Sequence, residues 1–292
     1  MIDAYVFNSN FLINNMDVTH GYDILGNIAI VKFKRGSKIS GKKKFASALM
    51  KERKNVTTVL EKTNKFSGRL RTLSTKHIAG IKTKETFYRE NGCEFRFNTD
   101  TCYFSPRLAS ERLEIAKMVR NGEEVLVLFG GVAPFAVVIA KLSKAKKVVS
   151  IELGKECSKY AIDNAKRNKV SDKVEIIQGD VRKKLPKMKQ NAKKYSIFGV
   201  SKTKSFEGFD RIVMARPNLK DSFLDVSFPR VKKNGIIHYY GFCNEEELDE
   251  MKLMIADEAK NARKEIKIIG VKKAGDIGVK KYRYRIDVKV LN

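Results

Sequence analysis

The alternation of apolar and polar positions along the chain changes character near residue 95. From Tyr22 the run YDILGNIAIVKF is rich in β-branched and aromatic residues. NVTTVLEK offers a second short strand after a helix expected around Lys43 to Arg53. The stretch from Gly68 to Thr101 then reads as several strands, punctuated by Gly80 and by the Asn91-Gly92 pair, a dipeptide that suits a two-residue hairpin turn. These elements predict a small α+β unit over residues 21–98, behind an irregular segment at residues 1–20.

Beyond it, five short apolar strands, EVLVLFGG, KKVVSIEL, KVEIIQGD, DRIVMARP and GIIHYYGF, are separated by helical or basic segments. Such alternation predicts a parallel sheet covered by helices on both faces, in a second domain over residues 99–292. The end of the chain departs from the pattern. Asn244 is placed to cap a helix with Glu245, Glu246 and Glu247 in its first turn, and Leu248, Met251, Ile255, Ala259 and Ala262 form its apolar face. Two strands follow, EIKIIGVKK and YRYRIDVKVL. The second sets Tyr282, Tyr284, Ile286, Val288 and Val290 on one face, which predicts a terminal antiparallel hairpin on the parallel sheet. Residues 183–207 are too basic and too interrupted for a plain crossover helix. They are expected to form a mobile surface insertion, either a solvated loop or a contact to RNA phosphates.

Charge narrows the partner. Lysine and arginine number 60 against 33 acidic residues, a formal excess of +27. A polyanion is the leading candidate, because each phosphate neutralised releases counterions, and nucleic acid heads that class. No segment approaches the roughly 18 apolar residues of a spanning helix, and the N-terminus lacks a secretory pattern, so a cytoplasmic monomer with no membrane partner is expected. Cys93, Cys102, Cys157 and Cys243 and the three histidines are scattered without metal-ligand spacing, which leaves no metal site to expect.

The candidate chemistry lies at the strand ends. Gly130 and Gly131 permit close backbone approach after the first parallel strand, and the helix starting near Pro134 points its amide end toward the same place. About twenty residues on, Glu152 ends the next strand, where a carboxylate can accept from both ribose hydroxyls of an adenosine. Asp180 ends the third, within reach of an adenine amino group. Nicotinamide and S-adenosylmethionine pockets share this glycine, acid, acid order. The dinucleotide fingerprint is interrupted by Val132 and Ala133, and by fold analogy the terminal hairpin favours the methyltransferase version of the sheet.

Several separated motifs together resemble the archaeal and eukaryotic tRNA guanine-37 N1-methyltransferases: YDILGNIAIVK, FNTDTCYFSPRLASER, FGGVAPF, IEL, GDVR, DRIVMARP, SFLD and GIIHYY, in that family's order from about residue 22 to the end. The resemblance implies an α/β, Rossmann-like class I S-adenosylmethionine-dependent methyltransferase sheet with the terminal antiparallel hairpin, preceded by a small α+β RNA-binding domain. It implies S-adenosylmethionine as cofactor, and tRNA, held near the anticodon stem-loop, as partner. The modified atom is N1 of guanosine at position 37, or a wybutosine-type intermediate is the substrate. The tRNA-elbow domain that many archaeal members carry is expected to be absent, since only about twenty residues precede YDILG.

By the same resemblance Glu111 is the general base that removes the N1 proton, and Arg71 is the cation facing O6. Read alone, Glu111 is equally a first-turn helix acid and Arg71 a phosphate contact. Tyr103 and Arg107 are implied to line the cofactor pocket with Phe129, Gly131, Glu152, Leu153, Asp180, Val181 and Pro217. Three positions depart from the family pattern: Val127 replaces an acid in the first strand, Ala133 a loop glycine, and Ala215 an asparagine that helps hold the base. They keep two alternatives in view, the aminocarboxypropyl transferase of wybutosine synthesis and a tRNA-binding protein that has lost catalysis.

Overall fold

The computed structural model of the chain describes residues 18–64, 68–188, 193–197, 200–204 and 208–292. Its first sheet has four strands in the order β1 (Val18–Leu25), β2 (Ile28–Phe33), β3 (Thr58–Lys62), β4 (Thr75–Gly80). Helix α1 (Ile39–Glu52) covers one face, where Phe45, Ala46 and Leu49 meet Ala29, Val31 and Phe33. Ile28 and Ile30, on the opposite face of the same strand, join the main core of the molecule. Burial on both faces is why IAIV reads as a continuous apolar run rather than an alternating one.

Strands β5 (Glu85–Glu90) and β6 (Cys93–Asn98) form the hairpin expected at Asn91-Gly92, with φ of 48° and 69° at those two residues. Then come α2 (Ala109–Met118), β7 (Glu124–Leu128), α3 (Pro134–Leu142), β8 (Lys147–Glu152), α4 (Lys155–Arg167), β9 (Val174–Gln178) and the short α5 (Val181–Lys184). The basic segment at 183–207 contains an antiparallel pair, β10 (Lys193–Ile197) with β11 (Val200–Lys204). The rest of it, at 189–192, 198–199 and 205–207, lies outside the described residues, as does the chain before Val18. The last elements are β12 (Phe209–Met214), α6 (Leu224–Ser227), β13 (Val231–Cys243), α7 (Leu248–Asn261), β14 (Ile266–Gly278) and β15 (Lys281–Val290).

The large sheet runs β14-β15-β13-β12-β7-β8-β9. The five strands from β13 to β9 are parallel and β15 is antiparallel to both neighbours. Strand order reverses at β7, between β8 on one side and β12 on the other, which opens a crevice at the strand tips. Val125 and Val127 face α2, α3 and α4, whereas Leu126 and Leu128 face α6 and α7. This is the Rossmann-like sheet with a terminal hairpin that the alternating strands and the last two runs predict. One local expectation is corrected. Asn244 does not cap the late helix: its N–H donates 2.9 Å to the Glu247 carboxylate in a preceding turn, and the helix starts at Leu248. Strand β15 forms the expected hairpin with β14; it lies inside the sheet, and it also buries Arg283, Arg285 and Asp287 opposite its apolar set. No helix among the described residues is long and apolar enough to cross a membrane.

The β5–β6 hairpin is fastened to α4 by two buried asparagines that stand in for a missing strand. Asn164 accepts from Arg96 N–H at 2.8 Å and donates to the carbonyls of Arg96 and Val132 at 3.2 and 3.0 Å. Asn168 accepts from Glu94 N–H at 2.9 Å and donates to its carbonyl at 2.7 Å. The edge of β6 is thereby satisfied without a neighbouring ladder. Asn164→Ala leaves the Arg96 amide and two carbonyls unpaired in a closed site, and it is expected to lower the unfolding free energy by about 2 to 3 kcal/mol in a urea titration.

Candidate active site

Three strand tips converge on one cavity. Past Leu128 the chain turns sharply, with left-handed φ of 60°, 55° and 65° at Phe129, Gly131 and Ala133, and α3 begins at Pro134. Glycine lets this turn lie close against the next strand: a Cβ at Gly130 would sit 2.0 Å from Ser150 Oγ on β8 as it stands. Phe129 and Gly131 line the cavity, and Phe129 packs edge-on against Phe223 at 4.9 Å between ring centres.

At the tip of β8 the Glu152 carboxylate accepts from Gly131 N–H at 2.7 Å and from Gly154 N–H at 2.6 Å, while its carbonyl accepts from Gly179 N–H at 2.8 Å. Burial pushes its carboxyl upward, against the pull of these amides. Two amides leave further lone pairs on the carboxylate, which is what a pair of ribose hydroxyls requires. Leu153 lines the cavity beside it. At the tip of β9, Asp180 accepts from Arg182 N–H at 2.9 Å and from Arg69 Nη2 at 2.9 Å, and Val181 completes that wall. Partial burial works to raise the Asp180 carboxyl, but the Arg182 amide and the Arg69 guanidinium outweigh it and hold it below the usual range. Arg69 thus engages the carboxylate expected to take an adenine amino group.

Arg71 and Tyr103 face the cavity from the other side, with the guanidinium carbon 3.9 Å from the ring centre of Tyr103, and Pro217 closes the wall near β12. Arg107 lies outside the cavity, in a neighbouring cleft of about 1340 Å³ between the two sheets that it shares with Arg53, Lys62, Arg89 and Arg167. Arg69, Arg71, Tyr103, Pro217 and Arg283 line both spaces, so the cavity opens into a basic cleft. A cleft of this charge and size suits a polyanion better than a small molecule.

Glu111 lines neither space. It is 4% exposed, its Oε2 accepts from Tyr240 at 3.0 Å and from Arg285 Nη1 at 2.7 Å, and Lys272 Nζ stands 2.8 Å from Oε1. The base role expected of Glu111 is therefore not at the cavity surface; Tyr240, which does line it, stands between. Arg285 also binds Glu114 and Asp287, and Asp287 accepts from His238 Nδ1 at 2.6 Å. Arg211 Nη1 donates to His238 Nε2 at 2.6 Å and ion-pairs with Glu123. Because Arg211 can only donate, Nε2 must be the acceptor and the ring neutral, with its proton on Nδ1. Burial, ahead of the opposing Asp287 contact, pushes this histidine below its usual 6.5.

Sequence reasoning missed Arg69, Arg216, Tyr240 and Arg283 as cavity residues. Arg216 is 6% exposed, donates to the carbonyls of Leu219 and Asp221, and leaves its Nε unpartnered. Burial lowers both it and Arg283. Charged residues in MARP and in the alternate positions of YRYRID were the available signal. They count only once both strands are known to lie inside the sheet.

Comparison with known proteins gives a consistent likeness. Residues 86–269 match the TRM5/TYW2 methyltransferase domain and residues 13–83 the TYW2 N-terminal domain. The chain is 33% identical to the tRNA (guanine(37)-N(1))/4-demethylwyosine(37)-methyltransferase of Nanoarchaeum equitans, over 92% of this chain and 99% of that protein. It is also 33% identical to the tRNA (guanine(37)-N(1))-methyltransferase of Pyrococcus abyssi, over 92% and 74%. The crystal structure of the Pyrococcus abyssi Trm5b superposes with a TM-score of 0.77 at 31% identity, covering 100% of this chain and 81% of that one.

The turn and the buried histidine each make a prediction. Ala133 carries a Cβ in a left-handed conformation, so Ala133→Gly is expected to raise the unfolding free energy by about 0.5 to 1 kcal/mol in chemical denaturation. His238 has a folded pKa below its unfolded value, so its contribution is present above about pH 6.5 and is lost as pH falls. Unfolding titrations between pH 8 and pH 5 should show stability falling on the acid side by up to about 1.4 kcal/mol per pH unit from this site, with the slope reduced in His238→Gln.

Proposed function

The chain belongs to the TRM5/TYW2 methyltransferase family, and from that premise we propose that it is an S-adenosylmethionine-dependent methyltransferase acting on the purine at position 37 of tRNA, at N1 of guanosine. The observation that carries this reading is the cavity at the tips of β7, β8 and β9, lined by Gly131, Glu152 and Asp180 and opening into a basic cleft. The residues present fit the cofactor. The turn at Gly130 and Gly131 admits a close ligand, Glu152 keeps lone pairs for ribose hydroxyls, and Arg216 holds a buried unpaired Nε beside the cavity. When bound, the sulfonium supplies an electrophilic methyl carbon.

The chain's own groups then have distinct tasks. Glu152, Leu153, Asp180 and Val181 hold the nucleoside, with Arg69 displaced from Asp180 when an adenine amino group arrives. Phe129, Gly131, Tyr103 and Pro217 shape the passage toward the acceptor, and Arg107 contacts RNA in the outer cleft. Arg71, stacked on Tyr103, presents a permanent cation where negative charge develops on O6. Glu111 acts from behind Tyr240 rather than on the base directly.

The match of residues 13–83 to a TYW2 N-terminal domain favours a second reading, transfer of the aminocarboxypropyl group of the same cofactor to a wybutosine precursor. Incubation with labelled S-adenosylmethionine and a panel of tRNA transcripts, followed by nucleoside mass spectrometry, distinguishes the two. The expected product is 1-methylguanosine at position 37. An aminocarboxypropyl adduct establishes the second reading, and tRNA binding without transfer of either group overturns both.

A further inference from the structure

The phenol of Tyr240 is buried and its hydrogen is committed. Its ring is 1% exposed and packs against Phe135 at 5.9 Å between centres. Its hydroxyl donates to Glu111 Oε2 at 3.0 Å, and Arg285 Nη1 donates to the same carboxylate oxygen at 2.7 Å. The hydrogen cannot be turned elsewhere without abandoning a carboxylate already held by Arg285 and Lys272. A phenol oxygen has one hydrogen and two lone pairs. Here the hydrogen is committed to Glu111, so toward the cavity that Tyr240 lines its oxygen has only lone pairs to offer. Tyr240 is therefore a fixed acceptor, and any ligand group that meets it favourably must be a donor.

The position of Tyr240 says which ligand group that is. The nucleoside end of the cavity lies at β8 and β9, where Glu152 and Asp180 stand. Tyr240 is on β13, three strands from β8 across β7 and β12, about 14 Å at the usual strand spacing. It lies on the side where Arg71, Tyr103, Pro217 and Arg283 open the cavity into the basic cleft. The group that reaches it comes from the acceptor entering through that cleft.

We propose that Tyr240 is a specificity-determining residue which selects a purine carrying an N1–H, accepting that hydrogen bond and refusing a purine whose N1 presents a lone pair. The inference rests on the tRNA reading above and deepens it. Glu111 is then a positioning residue: with Arg285 and Lys272 behind it, it fixes which way the phenol hydrogen points.

The test compares equilibrium binding of tRNAs that differ only at position 37, with S-adenosylhomocysteine present. Guanosine carries the N1–H, and 1-deazaguanosine replaces it with C–H while keeping O6. The expected result is about tenfold weaker binding of the 1-deaza tRNA by the native protein, and a ratio near one in Tyr240→Phe, whose guanosine affinity falls to the 1-deaza level. A native ratio near one, or a ratio unchanged by Tyr240→Phe, overturns the inference. So does a Tyr240→Phe defect confined to S-adenosylmethionine affinity, which would place the cofactor's ammonium at this oxygen. The ligand series in the native protein requires no variant to fold. Methyl transfer with a native ratio near one, or with a ratio that Tyr240→Phe leaves unchanged, sinks the inference and leaves the functional reading standing, whereas a native preference that Tyr240→Phe abolishes, without group transfer, does the reverse.

Discussion

The site depends on Glu152 being bonded from three directions. One carboxylate oxygen fixes the turn after β7 through Gly131, the other fixes its own turn through Gly154, and the main-chain carbonyl fixes the turn after β9 through Gly179. Three strand tips that would otherwise be independent loops become one rigid rim. The carboxylate is largely buried and can be tolerated there because charge-assisted bonds to amides replace its lost water. The same burial excludes solvent from the rim of the cavity.

On the other half of the sheet, charge plays the scaffolding role that apolar side chains play around β7. From Glu123 through Arg211, His238, Asp287 and Arg285 to Glu111, Glu114 and Lys272, ionised and polar groups run in unbroken contact beneath α2. Each member is oriented by the next, so a group with a single hydrogen such as the Tyr240 hydroxyl has its direction set by residues that never reach the cavity. Removing a single partner from such a chain leaves an uncompensated charge, so its members stand or fall together as a unit.

Much of this was legible in the sequence and some was not, for identifiable reasons. The strands β7 and β8 announce themselves because parallel strands covered on both faces are apolar nearly throughout, and β9 at the sheet edge keeps a shorter apolar run. Their tips announce themselves because Gly130, Gly131, Glu152 and Asp180 interrupt apolar runs at fixed intervals. The insertion of β15 between β13 and β14 leaves no local trace, since strand order is decided by long-range pairing. With strand order unknown, nothing marks Arg283, Arg285 and Asp287 as buried, and Glu111 reads as a side chain free to face a ligand. Tyr240 was invisible for a related reason: in GIIHYYGF both tyrosines look like core, and only the register against Arg285 shows that one of them has a polar partner.

The three departures from the family pattern fall in physically different places, and that decides how much each weighs against catalysis. Val127 is fully buried in the middle of β7 and does not line the cavity, so an apolar side chain there removes the desolvation cost of an acid without touching the ligand. Ala133 keeps the turn geometry at the expense of local strain. Only Ala215 faces the cavity. Losing one amide contact to a base is worth roughly 0.5 to 1.5 kcal/mol when no buried group is left unpaired, about a tenfold effect at the upper end. An effect of that size slows turnover or loosens base selection. It does not dismantle a site whose rim, cleft and cations are intact, and so the case for a lapsed enzyme rests on a single small side chain.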